Sequence, residues 1–257
     1  MRYVVQRDKN VLNEEADDLI WLLTNTTLKY VHNFCEISRN DIKDFKWNFD
    51  EDIPVGTLEF IGDYLEMRGL SRWMKPIEVP EFLREEKFLH RSYEVLDYKD
   101  IPKIGRYFVK DVSVLKAWQP QEFFMSMFDD MIGDVVDGWK EHKYSVQSKV
   151  DLVAEYRIFI CKDSVEAVQY YDGTDKLSFP DKNTVLSMIN QITYHRDVLK
   201  ELLPQSYTLD IGVDSKGNTL LIEMHNFVSC GTYGFKDEVL ATMYRDGIEF
   251  EISNQVS

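Results

Sequence analysis

The chain has 257 residues, a formal net charge of −15 and three widely spaced cysteines. This length is enough for one large domain or two small ones, each with its own hydrophobic core. The acidic surface argues against a nucleic-acid backbone or an anionic membrane as the main partner, because both attract basic proteins. No CxxC pair is present, so neither a disulfide framework nor a zinc site is indicated.

No apolar run in the sequence approaches the roughly 20 residues that a membrane-spanning helix needs. The segment Met1–Arg7 resembles a strand rather than a signal peptide. We therefore expect a cytoplasmic protein with no membrane partner and no nucleic-acid partner.

The first 75 residues alternate between strand-like and helix-like segments. We predict strands over 2–6 and 30–37 and helices over 14–23 and 58–68. Such alternation is typical of a small α/β domain. A segment punctuated by prolines follows, with a helical piece over 80–90.

The remainder of the chain is richer in strands and predicts an α+β body. The predicted strands are 106–110, 145–153, 155–161 and 165–171, and the predicted helices are 122–138 and 183–203. We therefore predict two domains, a small α/β domain over 1–75 and an α+β body over 76–257.

A predicted β-hairpin over 207–226 carries the strongest functional signal. A two-residue turn that includes Gly217 gives the hairpin one clean apolar face and places Asp210 opposite Glu223 on the other face. The predicted apolar pairs are Leu209–Met224, Ile211–Ile222 and Val213–Leu220. Side chains opposed in this way lie about 5 Å apart at Cβ, where two carboxylates repel. The pair therefore indicates a divalent cation with oxygen ligands, although a solvated acidic face is the ordinary alternative.

Three other features admit both a structural and a functional interpretation. Lys110 ends an apolar strand and is either a surface lysine or a phosphate ligand. Arg157 shares a strand face with Glu155, so it either pairs with that residue or binds a carboxylate or phosphate. Gly231 and Gly234 follow the acidic strand, where they indicate either a close approach to a ligand or a simple turn.

In chain order these features resemble the ATP-grasp superfamily, and within it the R2K clade known from bacteria and phages. The matching segments are Phe108-Val-Lys110-Asp111, Glu155-Tyr-Arg157-Ile-Phe159, Asp210-Ile-Gly-Val213, Glu223-Met-His225-Asn226 and Gly231-Thr-Tyr-Gly234. The resemblance covers about residues 85–245. It implies an ATP-grasp fold of the α+β class, preceded by a small N-terminal α/β domain that fits residues 1–75 less specifically.

The resemblance also implies a nucleotide site in which ATP lies between two β layers. The implied ATP-binding residues are Lys110, Ser148, Lys149, Val150, Arg106 and Arg91, of which the last two are the weaker candidates. Lys110 would contact the phosphates, and the backbone of residues 148–150 would meet the edge of the adenine.

The same resemblance implies a Mg²⁺ site and two catalytic residues. Asp210 and Glu223 would be metal ligands. His225 stands where the family has a metal-binding asparagine and Asn226 follows it, so either residue is a candidate for the third ligand. Arg157 would steady an acylphosphate, and together with Lys110 it would form the catalytic pair.

The implied activity is that of an ATP- and Mg²⁺-dependent carboxylate–amine ligase. A carboxylate would attack the γ-phosphate to give an acylphosphate and ADP, and an amine would then displace phosphate. The substrates would be small-molecule or peptide carboxylates and amines, including an amino acid joined to a peptide or protein. The alternatives are an ATP-grasp phosphotransferase and a non-catalytic nucleotide-binding or interaction protein.

Overall fold

The computed structural model describes residues 1–8, 14–228 and 230–256, without the side chains of residues 14 and 15. The strands are β1 (Arg2–Gln6), β2 (Asn33–Ile37), β3 (Asp52–Val55), β4 (Tyr93–Asp97), β5 (Arg106–Asp111), β6 (Gln121–Phe124), β7 (Lys143–Gln147), β8 (Leu152–Cys161), β9 (Ser164–Gly173), β10 (Ser206–Asp214) and β11 (Thr219–Asn226). The α-helices are α1 (Glu14–Asn25), α2 (Leu58–Met67), α3 (Glu86–Leu89), α4 (Phe128–Gly133), α5 (Lys182–Tyr194), α6 (Arg196–Leu199) and α7 (Val239–Val256). None of the described helices is long and apolar enough to span a bilayer.

The first sheet is parallel, with the strand order β2-β1-β3. Helix α2 begins where the side chain of Thr57 accepts a hydrogen bond from the backbone N–H of Phe60, which satisfies one of the free donors of its first turn. Helix α7, from the other end of the chain, completes the core beside this sheet. Its Leu240 and Tyr244 belong to the same buried cluster as Tyr3, whose hydroxyl donates to the carbonyl of Ala241 at 2.6 Å.

Two antiparallel sheets form the rest of the fold, with strand orders β4-β7-β5-β6 and β11-β10-β8-β9. An aromatic cluster that includes Phe123, Phe128 and Tyr144 supports the first of them. The second buries one face against α5, with Leu209 and Ile189 in its core. Because α7 packs both on the first sheet and beside β10, the division into 1–75 and 76–257 stays a prediction.

Three of the predicted elements are wrong in extent. The predicted helix over 122–138 is a strand followed by α4. Phe123 is buried while Phe124 is 58% exposed, which is the two-residue period of a strand. The predicted helix over 183–203 divides at His195 into α5 and α6. The predicted strand over 145–153 is interrupted at residues 148–151, where the chain crosses from one antiparallel sheet to the other.

The predicted hairpin register is confirmed where it matters for the site and is wrong near the turn. Asp210 lies opposite Glu223, and Leu209 lies opposite Met224. The observed pairs beyond them are Ile211–Leu221, Gly212–Leu220 and Val213–Thr219. Ile222 is therefore the extra residue of a β-bulge. A wider turn absorbs the shift, because the side chain of Asp214 accepts hydrogen bonds from the backbone N–H groups of Lys216 and Asn218 at 2.8 and 2.9 Å.

Candidate active site

An open cleft of about 560 Å³ lies between the two antiparallel sheets. Of the predicted nucleotide-binding residues, the cleft is lined by Arg91, Lys110, Ser148, Lys149 and Val150. Its apolar walls come from Ile77, Val79, Phe108, Leu152, Leu220 and Ile222. A cleft of this volume, with apolar walls and a few charged groups, is typical of a small-molecule site.

Arg91 fixes the base of the cleft by joining the two sheets. Its guanidinium donates to the side-chain oxygen of Gln147 at 2.8 Å and to the carbonyls of Leu221 and Ile222 at 2.7 and 3.0 Å. Burial lowers its pKa to about 10. Arg106, the other predicted arginine, does not line the cleft. Its side chain is 57% exposed and pairs with Glu122 at 2.8 Å.

Next to the cleft lies a group of three possible metal ligands, Asp210, Glu223 and His225, of which Glu223 lines the cleft. Atoms of all three side chains lie within 4.8 Å of one another. His225 Nε2 is 2.7 Å from Glu223 Oε1 and 3.7 Å from Asp210 Oδ2. Because His225 follows Glu223 by two positions in β11, both side chains lie on the same face of the strand.

Asn226 lies on the opposite face of β11, away from this group. Its side-chain amide donates to Glu251 of α7, and both residues are buried. Of the two predicted candidates for the third ligand position, the structure therefore brings only His225 to the carboxylates.

Glu251 gives this buried contact a predicted pH dependence. Burial raises its pKa from 4.5 to about 7, although the Asn226 hydrogen bond acts in the other direction. Between pH 4.5 and about 7, Glu251 is protonated in the folded chain and ionised in the unfolded chain. The free energy of unfolding therefore falls as the pH rises through this range. Glu251→Gln keeps the acceptor and removes the charge. We expect it to raise the free energy of unfolding by roughly 3 kcal/mol at pH 8 and to change it little at pH 4.

Urea denaturation at a series of pH values measures this effect. Glu249→Gln is the matched control, because the Glu249 side chain lies on the same helix and is 63% exposed. If the free energy of unfolding depends on pH equally in the Glu251→Gln variant and the unchanged protein, the raised pKa does not belong to Glu251.

Both carboxylates of the three-residue group already have a cationic partner. Lys110 Nζ contacts Glu223 Oε2, and Arg157 forms a two-pronged pair with Asp210 at 2.8 and 2.7 Å. Burial alone would raise the pKa of Glu223, but His225 and Lys110 outweigh it and hold that pKa well below its usual range. The pKa of Asp210 is lowered in the same way, by Arg157 and His225 against burial. Both groups are therefore negatively charged at neutral pH.

The guanidinium of Arg157 makes several contacts within the protein. Besides Asp210, its Nη1 donates to Cys230 Sγ at 3.1 Å and to the carbonyl of Gly231 at 3.3 Å. Its side chain is 8% exposed, and it does not line the cleft. The rings of Tyr171 and Tyr233, stacked on each other, lie 5.6 and 5.1 Å from its guanidinium carbon. Arg157 therefore orients Asp210 rather than presenting its fork to the cleft.

Glu155 and Tyr171 complete the rim near the carboxylates. The Tyr171 hydroxyl donates to Glu155 Oε2 at 2.7 Å and lies 3.4 Å from Asp210 Oδ2. Burial, together with Asp172 and Asp210, raises the pKa of Glu155 above its usual value. Glu155 thus faces the cleft and Tyr171 instead of pairing with Arg157. No sequence signal separates Tyr171 from an ordinary core tyrosine.

The loop that carries Gly231 and Tyr233 is anchored to α1. Tyr233 has φ +50° and precedes Gly234 at φ +84°, so two consecutive residues adopt the left-handed conformation. The hydroxyl of Thr232 donates to Asp18 Oδ2 at 2.5 Å, and Lys236 pairs with Asp18 Oδ1 at 2.7 Å. The buried carboxylate of Asp18 in α1 therefore anchors the loop whose Cys230 and Gly231 contact Arg157.

The family model described as "ATP-grasp domain, R2K clade family 2" matches residues 88–243, which is more than half of the chain. The chain belongs to this family. The matched residues contain the three-residue group, Arg157, the loop after β11 and all of the cleft lining except Ile77 and Val79. Membership confirms the resemblance of the sequence segments to the R2K clade.

Solved ATP-grasp structures share the fold over nearly the whole chain. A D-cycloserine synthetase has a TM-score of 0.53 at 10% identity, covering 97% of this chain and 99% of that one. A D-alanine–D-alanine ligase from Bacillus anthracis, solved in complex with ATP, has a TM-score of 0.52 at 11% identity, covering 100% and 97%. A RimK domain ATP-grasp protein from Sphaerobacter thermophilus has 0.53 at 10%, covering 100% of both chains. Identities this low establish the ATP-grasp fold, of the α+β class, and nothing more specific. No curated protein matches the sequence.

Proposed function

We propose that this ATP-grasp protein is an ATP-dependent carboxylate–amine ligase. The observation that carries the proposal is a nucleotide-sized cleft lined by Lys110 and Glu223, with Asp210 and His225 grouped around that glutamate. Glu223 and Asp210 outweigh burial and raise the pKa of His225. Once a cation displaces that proton, two charged carboxylates and an imidazole nitrogen within 4.8 Å form a donor set that fits a divalent cation. Such a cation, when bound, would neutralise charge on the transferred phosphoryl group.

The cleft residues have distinct roles in this proposal. The crossing at 148–150 and the apolar walls would hold the adenine. Lys110, a compact cation 15% exposed, is positioned to move from Glu223 to the phosphates when ATP enters. Arg91 shapes the cleft through its backbone contacts, and Arg157 keeps Asp210 in place.

The proposed chemistry has two steps. A carboxylate oxygen of the first substrate bonds to the γ-phosphorus as the bond to the β-phosphate oxygen breaks, which gives an acylphosphate and ADP. An amine then attacks the acyl carbon, loses a proton and expels phosphate. Charge neutralisation and alignment supply most of the rate in such reactions. The open cleft admits small-molecule or peptide carboxylates and amines, and joining an amino acid to a peptide or protein belongs to this proposal.

A product assay tests the function. The protein is incubated with ATP, Mg²⁺ or Mn²⁺ and a mixed pool of amino acids and peptides, and ADP, AMP and phosphate are resolved. ADP and phosphate that increase with the amine support the ligase. AMP with pyrophosphate would overturn the acylphosphate route, and ADP formation independent of amine would indicate a phosphotransferase. Nucleotide binding without turnover under all conditions would indicate a binding protein.

His225 leads to a prediction about metal preference. An imidazole nitrogen binds borderline cations better than Mg²⁺, whereas an amide oxygen suits Mg²⁺. We expect the dissociation constants for Mn²⁺ and Co²⁺ to be lower than that for Mg²⁺. His225→Asn should reduce the ratio between these constants by about tenfold. Calorimetric titration of each metal in the presence of a non-hydrolysable ATP analogue measures this. An unchanged preference in the variant would remove His225 from the ligand set.

Asp18 leads to a prediction about positioning. Asp18→Asn weakens the anchor of the loop that holds Arg157, so we expect turnover to fall by roughly ten- to a hundredfold. The KM for ATP is expected to stay within about threefold, because no cleft residue changes. Asp17→Asn is the control, since Asp17 is on the same helix and is 48% exposed. A rise in KM equal to the loss of turnover would instead indicate a general disturbance of the cleft.

A further inference from the structure

The antiparallel sheet β4-β7-β5-β6 carries an acidic segment at its edge. Residues 117–139 contain five carboxylates and no lysine or arginine. The segment forms the edge strand β6, the turn after it and α4. It lies outside the cleft except at Gln119 and Pro120.

This segment presents apolar side chains on two opposite sides. The inward set is buried in the aromatic core and consists of Met125, Phe128, Ile132 and Val136. The outward set is exposed and consists of Phe124 (58%), Met127 (51%), Met131 (41%) and Val135 (63%). A surface helix normally has polar residues on its outward side. The guanidinium of Arg106 lies 5.0 Å from the centroid of the Phe124 ring and accounts for that residue. The outward methionines and Val135 are not explained by the packing of the described residues.

Neighbouring residues enlarge the outward set and give it charge. The carbonyl of Gly105 accepts a hydrogen bond from the backbone N–H of Met125, which brings Ile104, 86% exposed, beside it. Exposed aspartates alternate with the outward side chains at positions 130, 134 and 137. We call these eight residues the acidic apolar patch: Ile104, Phe124, Met127, Asp130, Met131, Asp134, Val135 and Asp137.

We propose that the acidic apolar patch binds a basic amphipathic segment of another polypeptide. Contiguous exposed apolar side chains mark interaction sites, whereas isolated ones do not. Methionines adapt their shape to bulky apolar side chains of a partner helix, and the aspartates suit lysines or arginines that flank them. The proposal goes beyond the ligase function and does not depend on it.

Charge selects this occupant over the others. A second copy of the chain would bring the same aspartates against each other, which costs free energy. Nucleic acid and anionic lipid would meet the same repulsion. A basic polypeptide segment satisfies both the charge and the apolar side chains.

The test uses the full chain and a defined probe. The probe is a fluorescein-labelled peptide of leucine and lysine, about 18 residues long, with the leucines on one helical face. Fluorescence anisotropy measures its affinity without nucleotide or metal, so binding is separated from ligase activity. A peptide of the same composition with the face scrambled should bind at least about tenfold more weakly, because it lacks one apolar face.

Two sets of variants locate the binding surface. Met127→Ser with Met131→Ser removes apolar contact, and Asp130→Asn with Asp134→Asn and Asp137→Asn removes charge. Each set of substitutions should raise the dissociation constant of the probe by at least about tenfold, which corresponds to 1.4 kcal/mol of binding free energy. The ADP-forming rate with small substrates should not change, because no cleft residue is altered.

Matched controls change exposed residues elsewhere on the surface. The charge control is Asp44→Asn with Asp50→Asn and Glu51→Gln, and the apolar control is Tyr194→Ser with Val198→Ser. Affinities within about twofold of the unchanged protein support the patch as the site. Equal weakening by patch and control variants would show non-specific attraction to an acidic protein and overturn the proposal. A dimer that dissociates in the methionine variant would replace the basic partner with a second copy.

Discussion

Glu223→Gln is expected to lower ADP formation by about a thousandfold while the protein stays folded. Glu223 is the residue on which Lys110 and His225 converge, and its side chain is 28% exposed. Glutamine keeps the shape and removes the negative charge that a bound cation needs. A coupled assay for ADP measures turnover, and thermal unfolding measures stability in parallel.

Glu122→Gln is the matched control for this substitution. Glu122 is also an acidic residue with cationic partners, Arg106 and Lys149, but it lies outside the three-residue group. Turnover within about twofold of the unchanged protein is expected. If Glu223→Gln unfolds the protein while activity per folded molecule is unchanged, the carboxylate is structural and the metal-site proposal fails.

Arg157→Met is expected to lower the free energy of unfolding by roughly 3–5 kcal/mol. The reason is that Asp210, 1% exposed, would be left as a buried carboxylate without its two-pronged partner. The double change Arg157→Met with Asp210→Leu removes both charges. We expect it to recover most of the lost stability, because an apolar pair of similar volume replaces the ion pair. Both proteins should lack turnover.

Urea denaturation and the ADP assay are applied to Arg157→Met, to Asp210→Leu and to the double variant. Together they separate an effect on stability from an effect on turnover. Arg7→Met is the control, since Arg7 and Asp17 form a surface pair with both side chains 48% exposed. Its effect on the free energy of unfolding should be small, because solvent screens exposed ion pairs. If the double variant is as unstable as Arg157→Met, the two charges are not coupled. Turnover by the double variant would place the cation elsewhere.

Alternation of apolar residues was sufficient to pair Asp210 with Glu223, because a one-residue slip would have mixed the two faces. The bulge at Ile222 was not predictable, since it depends on a wide turn closed by the side chain of Asp214. The bulge lies before Glu223. The strand is regular after that residue, and this regularity puts His225 rather than Asn226 beside the carboxylates.

Contacts between distant parts of the chain account for what the sequence did not predict. The Thr232–Asp18 hydrogen bond joins residues 214 positions apart, and no local pattern announces it. The segment 122–138 has the composition of an acidic helix. Its first residues are a strand because Phe123 pairs with Tyr107 of the neighbouring strand, which is a tertiary effect.

The position of α7 has a consequence for how the protein is made. This helix is synthesised after every element it covers, yet it completes the core that contains Tyr3. On the ribosome, the first sheet therefore emerges with part of its apolar surface exposed and keeps it exposed until α7 arrives. Chains that lack α7 would expose the apolar surface around Tyr3 to proteases and chaperones. The same packing that builds the fold therefore distinguishes chains that contain α7 from chains that do not.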